Sequence, residues 1–165
     1  MNSEELREQL ERCHAESYGW ARCCCRQDPD EAENVLQAAY LKIFEGKAIF
    51  DGRSAFRTWL FAVIRNTAAE RRRRKLLEKL RLIRYRETET RLAEPARAED
   101  ALHNEQVQMK VRRALAVLPA RQAEVLQLVF YHDLSLSEAA KVMGVSLGSA
   151  RTHYARGKDR LRRSI

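Results

Sequence analysis

The stretch Leu134–Arg163, LSLSEAAKVMGVSLGSARTHYARGKDRLRR, holds two helix starts around one tight turn. Ser135 followed by Glu138 has the form of a capping box, and Ser146 stands just before a second start at Leu147. Gly144, between them, supplies a residue able to take a positive φ, while Ala140 and Ala150 sit where two crossing helices require small or buried apolar side chains. That spacing defines a helix-turn-helix. Its second helix, Leu147 to about Arg162, presents Ser149, Arg151, Thr152 and Arg156 outward, the residue types that meet base edges and phosphates in a major groove. Tyr154 and Leu161 point inward, toward Val125, Leu126 and Val129. The bland alternative is a helical hairpin with a solvated basic face. Gly157 is expected to cost the helix about 1 kcal/mol relative to alanine.

Upstream, Val107, Val111, Leu115 and Leu118 form a second helical stripe that leads into Pro119. Before it lies a segment that changes character, KLLEKLRLIRYRETETRLAEPARAED, highly charged and interrupted by Pro95. Its first part reads as a helical extension and its second as a linker. With 6 glycines and 3 prolines in 165 residues and apolar residues at three- and four-residue spacings, the chain is expected to be all-α. The expected organisation is two small helical domains, 1–86 and 105–165, joined by a linker over 87–104.

In the first of these, Leu6, Leu10 and Cys13 begin an amphipathic face that Trp20 and Cys24 extend. Asp28, Pro29 and Glu31 form a helix start, with an N-cap, a first-turn proline and an acid three places on. Val35, Leu36, Ala39, Tyr40 and Ile43 are its inward residues. A short connection, EGKAIFDGRS, precedes the stretch SAFRTWLFAVIRNTAAERRRRK at Ser54–Lys75. There Phe56, Leu60, Val63 and Ile64 fall on one helical side, so the run is an amphipathic helix and not a strand.

Composition narrows the function classes. The formal charge of +8 favours a polyanionic partner. The run Trp59 to Ile64 is far shorter than the roughly 18 to 20 apolar residues of a membrane span, and the N-terminus, MNSEELREQLERCHAE, lacks the apolar core of a secretory signal. A cytoplasmic protein without membrane insertion is expected. Cys13 and the triplet Cys23, Cys24 and Cys25 read as small packed hydrophobes, with a redox or metal sensor involving His14 as the alternative. His14, His103, His132 and His153 are scattered without ligand spacing, and no paired acids or nucleophile-base set appears. No metal, cofactor or enzymatic activity is expected.

Two further motifs carry a family resemblance. EAENVLQAAYLKIF at Glu31–Phe44 is similar to the pattern DAEDLVQExF, and SAFRTWLFAVIRN at Ser54–Asn66 to SxFRTWLxxIxRN. Together with LPARQAEVLQLVFYHDLSLSEAAKVMGVSLGSARTHYARGKDRLRR, they resemble the extracytoplasmic-function (ECF) sigma factors, the minimal two-domain group of the sigma-70-like initiation factors. The resemblance spans nearly the whole chain. It implies a protein that joins core RNA polymerase, recognises promoter DNA and helps open the duplex. Many members of the family are held inactive by an anti-sigma factor, which is therefore a candidate partner. A helix-turn-helix regulator acting without polymerase would share Leu134–Arg163 but carry a separate sensory domain.

The resemblance also implies residue roles. Glu31, Glu33, Asn34 and Gln37 fall on the helix that docks on core polymerase, with Asn34 and Ala38 replacing the common aspartate and glutamate. The minus-ten element, taken as an opened single strand, would meet Phe50, Arg53, Ser54, Arg57, Thr58, Trp59, Arg65, Asn66, Arg71 and Arg72. Those residue types suit the task, because an unstacked base needs a flat apolar partner and edge hydrogen bonds while its phosphates need cations. Phe56, Trp59 and Phe61, at helical spacing, are more often core than base-stacking platforms, Phe61 most of all. Ser149, Arg151, Thr152 and Arg156 would read the minus-thirty-five element as duplex.

Overall fold

The computed structural model describes residues 1–85 and 105–164, and within them the chain is helices and turns. In order these are α1 (Ser3–Arg12), α2 (His14–Cys24), α3 (Pro29–Phe44), α4 (Phe56–Tyr85), α5 (Glu105–Val117), α6 (Ala120–Phe130), α7 (Leu136–Met143) and α8 (Leu147–Ser164). The linker expected over 87–104 lies outside the described residues.

Local chemistry sets most of the boundaries. Asn2 caps α1 with a full capping box to Glu5. Asp28 caps α3 by accepting from the amides of Asp30 and Glu31, with Pro29 in the first turn. The amphipathic face expected to run on from Leu6 is divided: the helix breaks at Cys13 into α1 and α2. α4 begins at Phe56 and continues through the arginine run and the charged extension as one helix of 30 residues. Its first part is buried on one side and everything from Arg72 onward is exposed.

The first half of the molecule packs α2, α3 and α4 around Trp20, Val35, Ala39, Leu60, Phe61 and Ile64, all buried. Trp20 is the keystone of that core. Its indole N–H donates to the carbonyl of Phe61 at 3.0 Å, and the two rings stack with centroids 5.7 Å apart. Ion pairs join α3 to α4 at the surface, Lys42 to Glu70 and Glu31 to both Arg71 and Lys75.

The second half is a helix-turn-helix formed by α7 and α8 and backed by α6. Ser135 and Glu138 form the expected capping box, and Gly144 closes α7 in the left-handed region at φ 64°. Ser146 accepts from the amide of Ser149 at 3.1 Å at the start of α8. Ala150 is fully buried in the crossing. Gly157 is the correction here. A β-carbon at this position would lie 2.9 Å from Leu126 Cδ1 and 3.3 Å from Gln122 Cβ, so the glycine is what lets α8 close onto α6. Its cost in helix propensity is offset by a contact that no other residue permits.

The two halves touch. α7 packs along α4, and the imidazole of His132 sets its edge against Trp20 and Phe61, with centroids 5.7 and 5.0 Å away. Glu124 of α6 forms an ion pair with Arg65 of α4. A cleft of about 830 Å³ opens beside this junction and is lined by Arg26, Arg65, Arg72, Arg112 and Arg121 over an apolar floor of Trp20 and Leu115.

Candidate nucleic-acid interface

The most open cationic face lies on α8. Arg151 and Arg156 are exposed about 1.4 turns apart and flank the side of α8 that faces away from Gly157 and α6. Ser149 and Thr152 share that exposed side, but their hydroxyls are engaged locally: Ser149 meets Ser146 Oγ at 3.0 Å, and Thr152 donates to the carbonyl of Gly148 at 3.0 Å. The two guanidinium groups are thus exposed to solvent, while the two hydroxyls are tied into the start of the helix. Behind them Tyr154 stacks on Phe130 at 6.0 Å, with Lys158 over its ring at 4.4 Å.

The face formed by α4 and the loop before it has a different character. Phe50, Phe56 and Trp59 gather into one half-buried aromatic cluster, with centroids 5.3 to 5.4 Å apart. Phe50, expected to stand free beside Asp51 and Gly52, is held by both partners, and Trp59 packs and meets solvent at once. Arg53 and Asn66 are exposed and Ser54 is half-buried. Thr58 is a correction: at 1% exposure it does not reach the surface, and its hydroxyl is buried without a partner.

Three arginines of α4 are occupied. Arg57 pairs with Glu16 at 3.0 Å, Arg65 with Glu124, and Arg71 with Glu31 at 2.9 Å. Arg72 is exposed and donates only weakly, at 3.5 Å, to the carbonyl of Cys24. Sequence reasoning identified the cations and missed the acids, because Glu16 and Glu124 lie 41 and 59 residues from their partners and carry no local signal.

On α3, Glu33, Asn34 and Gln37 are exposed as a docking role needs. Glu31 is not free, since its carboxylate takes both Arg71 and Lys75, the latter at 2.6 Å. Burial pushes its pKa up, but the hydrogen bonds from Arg71 and Lys75 more than reverse this and hold it below the ordinary range. Asn34 and Gln37 continue at helical spacing into Leu41 and Phe44, which are 58% and 51% exposed. These two apolar residues complete a face that the sequence analysis described only by its polar members.

Cys13 sits between α1 and α2 and Cys23, Cys24 and Cys25 at the end of α2, all partly buried against the core. Burial raises the pKa of each of the four, of Cys25 to about 11, and Glu124 adds to the effect at Cys24. They are poor thiolates at neutral pH. Among the described residues no cluster of three or more His, Cys, Asp or Glu side chains is placed to hold a metal ion, and no helix is long and apolar enough to cross a membrane.

An all-helical fold with a helix-turn-helix at one end and an arginine-rich aromatic helix at the other defines a DNA-handling transcription factor of two parts. Family models match both parts: "Sigma-70 region 2" over residues 10–76 and "Sigma-70, region 4" over 114–163. The chain belongs to the sigma-70 family and, within it, to the ECF group of RNA polymerase sigma factors. It is 29% identical to the ECF RNA polymerase sigma factor SigC of Mycobacterium tuberculosis, over 86% of this chain and 74% of that one. It is 25% identical to the ECF RNA polymerase sigma factor SigW of Bacillus subtilis, over 82% of this chain and 75% of that one. The fold is that of the sigma factor RpoE from Bartonella quintana, solved with its anti-sigma factor NepR, at a TM-score of 0.72, 21% identity, and 98% and 96% coverage of the two chains. The helical fold and the family expected from the sequence are both borne out.

Proposed function

We propose that this sigma factor divides its work among three faces. α3 docks on core RNA polymerase through Glu33, Asn34 and Gln37 with Leu41 and Phe44 at the apolar centre. The aromatic cluster of Phe50, Phe56 and Trp59, with Arg53, Ser54, Arg57, Arg65, Asn66, Arg71 and Arg72 around it, takes the opened non-template strand of the minus-ten element. α8 reads the minus-thirty-five element as duplex with Arg151 and Arg156. The observation that carries this reading is the pairing of a free reading face on α8 with a separate aromatic and arginine-rich face on α4. Duplex reading needs the first, and single-strand capture needs the second.

The domain limits stay those of the sequence reading: 1–86 for the first domain, 87–104 for the linker and 105–165 for the second. The chemistry performed is binding and strand separation, so the protein is assigned no catalytic residue and acts in the cytoplasm, where polymerase and chromosome meet. A regulator of the anti-sigma kind, such as the one bound to the solved relative RpoE, is the natural third partner.

The test is transcription in vitro. The purified chain added to core polymerase should co-elute with it and direct initiation from a shared class of upstream sequences, read by mapping transcript starts. Neither co-elution nor specific starts would overturn the reading. Within it, Leu41→Glu, at an exposed site, should weaken association with core while leaving the thermal melt unchanged.

A further inference from the structure

The cleft of about 830 Å³ beside Trp20 is walled by five arginines and one carboxylate. Arg26 reaches it from the turn after α2, Arg65 and Arg72 from α4, Arg112 from α5 and Arg121 from the first turn of α6. The carboxylate is Glu124. It is already engaged through both oxygens by Arg65, and Arg121 stands 3.8 Å away. Among the described residues no acid pairs with Arg26, Arg72 or Arg112. Burial raises the pKa of Cys23 and Cys24, the two thiols in the lining, so near neutral pH they stay uncharged and add no second negative charge.

The backbone adds to this field. Arg26 and Gln27 both take left-handed φ, 53° and 68°, which is uncommon for residues with a β-carbon, and the turn is held by the amide of Gln27 donating to the carbonyl of Arg22 at 2.8 Å. At the rim, α6 begins after Pro119 without a side-chain cap, and Ala120 and Ala123 of its first turn line the cleft. The positive end of that helix therefore faces the same space. Like charges gathered in one cleft repel one another, and an anion among them relieves the repulsion.

We propose that the cleft binds a small polyphosphate anion, with its phosphate chain held by Arg26, Arg72, Arg112 and Arg121 and any organic part lying on Leu115 and Leu118. All five cations in the lining are arginine, whose planar fork matches phosphate oxygens two at a time, as a lysine does not. The volume falls within the range of small-molecule sites, about 300 to 1,000 Å³, and suits one nucleotide-sized molecule better than a run of strand. Arg26 and Arg112 belong to neither DNA face described above. The site therefore stands whether or not Arg65 and Arg72 meet the minus-ten strand.

The probes are inorganic triphosphate and ATP, both with EDTA, titrated into the full-length chain by isothermal calorimetry and followed in parallel by thermal melt. Each should bind once per chain, and saturating triphosphate should raise the melting temperature by about 5 °C. Inorganic monophosphate should bind about tenfold more weakly or worse. Arg26→Gln and Arg112→Gln should each weaken triphosphate binding by about tenfold, with helix content unchanged by circular dichroism. Arg162→Gln removes an equal charge from an exposed site on α8 outside the cleft and should leave binding unchanged. ATP binding more tightly than triphosphate assigns the apolar floor to a base and the ligand to the nucleotides; equal affinity assigns the phosphate chain alone.

No saturable binding of triphosphate would overturn the site. Equal losses in Arg26→Gln and Arg162→Gln would overturn it as well, because the attraction would then belong to the net charge of +8 and not to the cleft. A short single-stranded DNA supplies the last arm. If Arg26→Gln and Arg112→Gln weaken its binding as much as that of triphosphate, the cleft is part of the nucleic-acid surface and the small-anion assignment falls.

Discussion

α4 and α8 are both arginine-rich helices of one small protein, and the arginines proposed to meet DNA are in different states on the two. On α8, Arg151 and Arg156 stand exposed; on α4, Arg57, Arg65 and Arg71 each rest on a glutamate. The difference lies in what surrounds the helix. α8 uses one side to close on α6 through Gly157 and leaves the other side to solvent, while α4 is approached by α2, α3 and α7. A helix with many neighbours meets many acids, so its cations pair within the protein before they meet a phosphate. Sharing a residue type does not make two surfaces equally ready to bind.

The strongest way to break the comparison is to remove what seats α4. Phe61→Ala should cost about 3 to 5 kcal/mol, because the ring is fully buried, stacks on Trp20 and takes the edge of His132. Denaturant melts would show the loss in the first half of the chain, and the duplex-reading half should outlast it. Next is Gly157→Val, which forces a branched side chain into a 2.9 Å approach and should destabilise the second half by about 3 kcal/mol, the upper end of overpacking costs. Duplex binding should vanish in that variant while the first half keeps its melt.

Smaller effects sharpen the contrast instead. Arg151→Ala and Arg156→Ala should leave stability unchanged and weaken promoter duplex binding. Loss of the base reader should cost about 1 to 3 kcal/mol and relax specificity at one position, whereas loss of the phosphate contact should weaken all sequences alike. Binding isotherms on a set of single-base variants tell the two apart.

The smallest effect concerns pH. Glu31 has its pKa lowered in the folded chain, so its contribution is fully present above the unfolded carboxyl range, about pH 4.3, and is lost as pH falls through the folded value. Glu31→Gln should lower stability near neutral pH and lose less on acidification than wild type does, as read by urea melts at the two ends. His132 acts in the same sense at higher pH. Burial lowers its pKa, so the contact it makes with Trp20 and Phe61 holds above the ordinary histidine range, about pH 6.5, and weakens as pH falls through the depressed folded value.

Much of this molecule is legible in the chain. Caps at Asp28 and Ser135, the turn at Gly144 and the spacing of Leu60, Ile64 and Val35 mark helices by local rules that operate wherever the helices end up. What local rules do not carry is proximity across the fold. Gly157 looks like a defect until α6 is brought against it, and Thr58 looks like a surface hydroxyl until the fold buries it. The site followed the same division. The exposed residues of α8 were readable from periodicity, whereas the state of Arg65 depended on Glu124, 59 positions away. Leu41 and Phe44 escaped notice for another reason: apolar residues at helical spacing are ordinarily core, and only the fold reveals which ones are left uncovered.

The occupied arginines of α4 also change what a salt titration counts. A lysine or arginine that arrives at DNA from open solvent displaces condensed cations from the phosphate and returns nothing. Arg57 or Arg65 arriving from its glutamate leaves a carboxylate that attracts a cation in its place, whereas Arg71 leaves Glu31 still paired with Lys75. Part of the ion release is cancelled within the protein. The slope measured for strand capture should therefore understate the number of phosphates held by α4, while the slope for α8 on duplex should follow its phosphate contacts at about 0.9 each.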